Sequence, residues 1–348
     1  MSARYEFTSD NTAGACPQAL AALLASNGGF APGYGRDAMT RQAADAVRNL
    51  LDADVEVFFV TSGTAANAIA CAMLAAPHEA VLAHEHAHLI THEAGAAGFL
   101  GHGLKVQGVP GSSGRIDDAA LLEALQLQNV LTYQAPAAIS ITQATEYGTL
   151  YSSDALQTIA GLATESGCRL HVDGARLANA AAAGFDVRHI ASCNVSILSL
   201  GGTKAGGFVS DAIVLFDKSA SRGMAARLKQ AGQLCSRSRF LAAPWIALLD
   251  GAGPEEMPWV RHAAHANAMA ARLAAGMPFL IRHPVEANGV FVDMSDASYQ
   301  QLNEWGWKVA RAADGSVRFM CSWAVTQAAV DDLLSDLARL NSSGATAF

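Results

Sequence analysis

Residues 169–207, RLHVDGARLANAAAAGFDVRHIASCNVSILSLGGTKAGG, hold the clearest sign of the architecture. RLHVD (169–173) and VSILSL (195–200) are short apolar runs of strand type, and the segment after Arg176 reads as a helix. Strand–helix–strand order favours parallel neighbours in a sheet covered on both faces. Ligands of such sheets collect at the C-terminal edge of the strands, and Asp173 ends the first run there. An acid at that edge can hold a protonated ring nitrogen, and Arg176 can clamp a carboxylate through two parallel hydrogen bonds. The pair equally fits a buried ion pair capping the next helix. Lys204 follows the second run, between Gly201-Gly202-Thr203 and Ala205-Gly206-Gly207. Neighbours without bulk let a flat ligand approach closely, and a partly desolvated lysine near another cation loses its proton readily, as Schiff-base formation requires. A solvated loop lysine is the plainer alternative. The loop lacks the G-x-x-x-x-G-K spacing of a P-loop.

Outward from this stretch the alternation continues. VEVFFV (55–60), AVLA (80–83), LKVQGV (104–109) and AAISIT (137–142) read as strands. AANAIACAML (65–74), a stretch near 87–99, DDAALLEALQ (117–126) and SSDALQTIAGLATESG (152–167) read as helices, the last with a Ser/Asp start and a Gly stop. The expected fold is α/β, a mostly parallel sheet sandwiched by helices. From about 245 the character changes. A helix over 259–276 is followed by the strand candidates GVFVDM (289–294), WKVAR (307–311) and VRFMCSW (317–323), and TQAAVDDLLSDLARLN (326–341) reads as a closing helix. That pattern predicts a smaller C-terminal α+β domain over 251–348 beside a large domain over 1–250, which includes the N-terminal segment. The boundary falls where Pro244, Gly251, Gly253, Pro254 and Pro258 cluster. The tail SSGATAF (342–348) reads as frayed.

Composition limits the function classes. The 348 residues are 51% hydrophobic and 16% charged, which supports a large buried core. Twenty-three basic residues against 31 acidic give a net charge of −8, which argues against nucleic acid or an anionic membrane as the main partner. The six cysteines form no C-x-x-C pair, so they suggest neither a zinc ribbon nor a disulfide scaffold. MSARYEFTSDN has no signal-type apolar run, and no stretch approaches the roughly 20 apolar residues of a membrane span. A cytoplasmic location is expected.

Further segments bear chemistry. Ser62-Gly63-Thr64 opens a helix after a strand, where free N–H groups and the helix dipole favour phosphate; an ordinary N-cap turn uses the same residues. His84-Glu85-His86-Ala87-His88 matches the zinc-protease pattern H-E-x-x-H. Thr91 and Ala94 stand where the longer zinc motif needs glycine and histidine, and the next glutamate after Glu93 is Glu123. The alternative for His88 is a ring that stacks on a flat cofactor or acts as a base. Arg318, on a strand of the small domain, can reach across to the cleft. Arg237 and Arg239 can bind phosphate or decorate a helix. Ser9-Asp10-Asn11 reads as a turn or cap.

The order FTSDN, YGRD, SGTAAN, HAHLITHEAGA, HVDGARLANA and SLGGTKAGG resembles the pyridoxal-phosphate-dependent threonine aldolases of the aspartate-aminotransferase fold, closest to their low-specificity L-threonine and phenylserine branch. The resemblance runs from about residue 6 into the C-terminal domain, and HVDGAR and GGTK are its most specific parts. It implies a seven-stranded-type sheet of PLP fold type I, and cleavage of L-threonine-like β-hydroxy-α-amino acids to glycine and an aldehyde. It further implies that Lys204 carries the cofactor as a Schiff base, that Asp173 pairs with the pyridinium nitrogen, and that His88 stacks on the ring. Ser62, Gly63 and Thr64 would hold the phosphate, and Ser9, Arg176 and Arg318 the substrate carboxylate. Arg237 would reach the phosphate of a neighbouring subunit in a homodimer or homotetramer. Glu146 stands where many members carry a histidine near the substrate hydroxyl, and Gln143 is a further polar candidate there; Ala205 also departs from the usual residue after the lysine. A β-eliminating lyase or an aminotransferase with the same cofactor is the nearest alternative, and a zinc hydrolase on His84, Glu85 and His88 a remoter one.

Overall fold

The computed structural model describes residues 3–344, so the last four residues of the expected frayed tail lie outside it. Its strands are β1 (Glu56–Val60), β2 (Glu79–His84), β3 (Lys105–Val109), β4 (Gly111–Ser112), β5 (Arg115–Ile116), β6 (Ala135–Thr142), β7 (Arg169–Gly174), β8 (Val195–Leu200), β9 (Asp211–Leu215), β10 (Gly289–Val292), β11 (Ala310–Arg311) and β12 (Val317–Met320). Seven of them form one sheet in the order β1-β9-β8-β7-β6-β2-β3. The pairs β2/β3, β2/β6, β6/β7 and β7/β8 are parallel, while β9 runs antiparallel to both β8 and β1. The mostly parallel sheet expected from the alternation is therefore present.

Burial explains why these short runs are strands. Leu170, Val172, Ile197 and Leu198 are buried between helical layers, and each such side chain contributes about 1.5–3 kcal/mol. His171 stands among them with both ring nitrogens satisfied. Ser140 Oγ lies 2.8 Å from Nδ1 and Ser199 Oγ 3.0 Å from Nε2, so this histidine ties β6, β7 and β8 together.

Two expectations change. The helix near 87–99 is two short helices, His88–Thr91 and Ala96–Leu100. Ala94 (φ 50°) and Gly95 (φ 76°) take left-handed conformations between them and break the helical run. Strand β9 has no counterpart in the sequence reading. Only a three-residue 3-10 turn, Thr203–Ala205, separates it from β8, so the strand–helix rhythm does not reveal it.

A second sheet, β10-β12-β11, forms the smaller α+β unit with the helices Pro258–Ala275, Asp296–Glu304 and Gln327–Gly344. Within the expected strand 307–311, only Ala310–Arg311 pairs in this sheet; Trp307 instead bridges Arg4. The chain's first residues side with this unit. Phe7 is buried among Trp307, Phe319 and Val290, and its carbonyl accepts from Met320 N at 2.9 Å. The helix Pro258–Ala275 joins the two cores, with Trp259 and Ala263 in the large one and Ala270 and Leu273 in the small one. Among the described residues no helix is long and apolar enough to cross a membrane.

Candidate active site

The sheet delivers chemistry to one edge. Asp173 lies near the C-terminal end of β7, and Lys204 follows the end of the adjacent, parallel β8. Ser62 follows β1, Glu146 follows β6 and His88 follows β2. Asp211, at the start of the antiparallel β9, falls on the same edge. A cavity of about 260 Å³ is lined by Ser62, Gly63, Thr64, His88, Asp173 and Lys204. A neighbouring one of about 230 Å³ contains Ser9, His92, Tyr147 and Arg318. Asn11, His88, Glu146, Arg176 and Lys204 line both. A larger groove of about 820 Å³ lies elsewhere, by Arg115, Tyr151, Phe185 and Glu286. Its Tyr151 hydroxyl already accepts from Ile116 N at 2.8 Å, and no lysine, histidine or cysteine lines it.

The mount of Lys204 is rigid. A side chain at Gly201 would strike the carbonyl of Ala175, and one at Gly202 would come within 2.6 Å of the Trp245 ring. The Trp259 indole donates to Gly201 O at 2.8 Å, and His262 Nδ1 lies 2.7 Å from Ala205 O. The small residues of this loop thus admit the protein's own backbone and Trp245. This corrects the expectation that they make room for the ligand. Gly202 N and Thr203 N both donate to Asp211 Oδ1, at 2.9 and 3.2 Å. Burial, and next the charge of Arg176, lower the pKa of the Lys204 amine, against the pull of Asp10, Asp173 and Asp211.

The arginines are arranged around a residue that sequence reading leaves as a turn. Asp10 is buried and takes Nε and Nη2 of Arg176 at 2.6 and 3.0 Å, with Asn288 Nδ2 at 3.1 Å. Burial by itself raises the Asp10 carboxyl; the charges of Arg176 and Lys204 and these hydrogen bonds outweigh it and hold it well below the usual carboxylate range. Arg318 donates through Nη2 to Thr8 O at 3.2 Å, while its buried Nε has no partner. Burial, and next the Arg176 charge, lower its pKa. Arg176 and Arg318 line the same cavity and, among the described residues, only Arg176 is bonded to a carboxylate, so an anion there would meet two guanidiniums.

The remaining site candidates divide. Ser62 is the N-cap of the helix Gly63–Leu74 and accepts from Ala65 N at 3.2 Å. A side chain at Gly63 would meet only Asp211 Oδ2, at 3.6 Å, so the helix start has open room. His88 stacks one ring face on His92, with centroids 5.4 Å apart and planes at 17°. Glu146 Oε1 accepts from His88 N at 2.8 Å and Thr142 Oγ1 at 2.9 Å, and its buried Oε2 has no partner. Burial, and then the Asp173 charge, raise its pKa against those hydrogen bonds. Gln143 is not brought to the cavities. Its amide bonds Tyr151 N and O at 3.0 and 2.9 Å and braces that loop. Arg237 lies in a separate pocket with Phe30, Asp37 and Arg239, so within one chain it does not meet the others. His84 ends β2 and the next helix begins only at His88, so no helix carries both histidines of H-E-x-x-H on one face.

The fold agrees with the likenesses of the chain. Residues 6–297 match the beta-eliminating lyase family. The chain is 40% identical over 345 residues, 97% of its length, to the low-specificity L-threonine aldolase of Pseudomonas sp. (strain NCIMB 10558), covering 98% of that protein. It is 39% identical over 339 residues to that of Pseudomonas aeruginosa, covering 95% of this chain and 96% of that one. The solved structure of Leishmania major threonine aldolase superposes with a TM-score of 0.89 at 28% identity, over 97% of this chain and 100% of that one. With its lysine, aspartate and helix start gathered at one sheet edge, the chain belongs to the beta-eliminating lyase family, within the group of the low-specificity L-threonine aldolases.

Proposed function

We propose that this chain is a carbon–carbon lyase that cleaves L-threonine-like β-hydroxy-α-amino acids to glycine and an aldehyde with pyridoxal phosphate. The observation that carries the reading is the meeting of Lys204 and Asp173 in one cavity, between a helix start and two guanidiniums. The donor set suits the cofactor. Lys204 would hold its carbonyl carbon, Asp173 its ring nitrogen, and Ser62, Gly63 and Thr64 its phosphate, with the second face of His88 toward its ring. When bound, pyridoxal phosphate supplies a protonated ring that takes up the electron pair released at the substrate Cα.

The chain's own residues do the rest. The lowered pKa of Lys204 makes its amine lone pair more available than that of an ordinary lysine. Asp173 is held by Asn67 Nδ2 at 2.7 Å and Ala175 N at 3.0 Å, which aims its carboxylate into the cavity. Arg176, pre-oriented by Asp10, and Arg318 bind the substrate carboxylate and thereby fix the direction of the Cα–Cβ bond, where positioning contributes most. Ser9 lies beside them. His88 accepts the β-hydroxyl proton, with Glu146 next to it. The active unit is a homodimer or homotetramer in the cytoplasm. Arg237 serves the neighbouring subunit's phosphate.

Borohydride reduction of the holoenzyme followed by peptide mapping tests the assignment. Lys204 is expected to carry the label, and a label on another lysine overturns it. A second reading, β-elimination, draws on the name of the matching family. Products from threonine separate the reactions: glycine plus acetaldehyde for the aldolase, ammonia plus a keto acid for the eliminating lyase. A keto acid formed only when an amino acceptor is supplied marks an aminotransferase.

A further inference from the structure

Behind His88 lies a buried acid that the mechanism above does not use. Glu93 sits between the helices His88–Thr91 and Ala96–Leu100, and its side chain is 0% exposed. Its Oε1 is 2.8 Å from His88 Nδ1 and accepts from Asn67 Nδ2 at 2.8 Å. The same Asn67 nitrogen donates to Asp173 Oδ2 at 2.7 Å. Glu93 Oε2 and Asn67 Oδ1 are buried without partners. An acid so enclosed, with two polar contacts both leading to the active site, is costly unless it serves that site.

We propose that Glu93 is a positioning residue: it fixes His88 as the Nδ1–H tautomer and, through Asn67, ties the imidazole to Asp173. The reason is one of donors and acceptors. An ionised carboxylate only accepts hydrogen bonds, so the nitrogen facing Glu93 must carry the hydrogen, which leaves the lone pair on Nε2. The hydrogen bond made by one ring nitrogen sets the state of the other. The His92 ring backs one face of the imidazole, so Glu93 sets its rotation while His92 limits its tilt. With Asn67 bonded to both carboxylates, His88 and Asp173 are fixed relative to each other by a chain of three hydrogen bonds.

The tautomer claim stands on the fold alone; its kinetic consequence rests on the reading that His88 meets the substrate. The test uses the full chain labelled with 15N-histidine, with and without pyridoxal phosphate, and His88→Ala to assign the ring. The wild type should show His88 protonated at Nδ1, and Glu93→Ala should shift it toward the Nε2–H form that free histidine favours. In turnover, Glu93→Ala should lose about 10–100-fold in kcat, as loss of an orienting partner typically does, with KM within about threefold. Glu93→Gln, whose amide oxygen still accepts from both donors, should keep the Nδ1–H form and lose less of kcat. An Nδ1–H signal unchanged in folded Glu93→Ala would overturn the proposal. So would a wild-type ring bare at Nδ1, or equal kcat losses in the two variants with the tautomer intact, which marks a packing role. Because the tautomer is read without turnover, its failure leaves the Lys204 mapping result standing, and a failed mapping leaves the tautomer result standing.

Discussion

Asp173 and Lys204 reach the cavity from adjacent strands of one buried sheet, whereas Arg318 comes from a separate three-stranded sheet and Asp10 from the chain's first dozen residues. The first pair is set by a parallel register, Asp173 opposite Ser199, that many buried side chains enforce. The second group is set by one ion pair spanning 166 residues of sequence, Asp10 with Arg176, and by Asn288 Nδ2, which donates both to Asp10 and to Cys321 O at 2.8 Å. The sheet side is therefore held by the fold as a whole, and the arginine side by a few polar contacts where two units meet. Damage to the first should appear in kcat, and damage to the second in KM and stability.

The largest effect should come from Asp173→Asn. It keeps an acceptor for Ala175 N but removes the charge, so kcat should fall on the order of 10²–10³-fold while the unfolding midpoint moves little. A comparable fall in the midpoint would show that Asp173 is a structural cap. Asp10→Ala should be the most destabilising change on the arginine side, by about 3–5 kcal/mol in denaturant unfolding, because it leaves Arg176 buried without its partner. A loss within 0.5 kcal/mol, the range of ordinary surface changes, would mean that this side is as well supported as the sheet side. Arg318→Lys should raise KM roughly tenfold, through lost bidentate geometry, and leave the absorbance of the bound cofactor unchanged. A changed cofactor spectrum with unchanged KM would place Arg318 with the wrong ligand.

The smallest effect concerns Glu146, which borders both sides. Its pKa is raised in the folded chain by burial and by Asp173, so the folded form keeps a proton that the unfolded form has released. Its contribution to stability is therefore complete at acid pH and is lost as pH rises from the ordinary glutamate range through the raised value. Glu146→Gln cannot lose that proton, so its unfolding midpoint relative to the wild type should climb across that window. A difference that does not vary with pH would show Glu146 titrating as an ordinary surface acid.

How much of the site could be read in advance follows from sequence distance. Asp173, Lys204 and Ser62-Gly63-Thr64 each stand at the end of a short apolar run, and the run announces the sheet edge. Asp10, Asn67, Glu93 and Asn288 give no such signal, because apart from the Glu93–His88 contact the bonds that tie them to the site span 26 to 278 residues. Glu93 has one local cue: it lies five residues beyond His88, though the short helix begun by His88 stops at Thr91 and so does not carry Glu93. Gln143 shows the converse. Its place in a polar segment suggests a ligand contact, yet its amide is consumed by the backbone of Tyr151.

The α/β class, the position of the reactive lysine and acid at strand ends, and the family are all legible along the chain, because apolar periodicity and local motifs are properties of neighbouring residues. Which acid pairs with Arg176, why the loop around Lys204 is built of glycine, and what stands behind His88 emerge with the packed chain. Those are contacts between segments far apart in the chain, fixed by which buried polar groups could find partners once the two cores had packed.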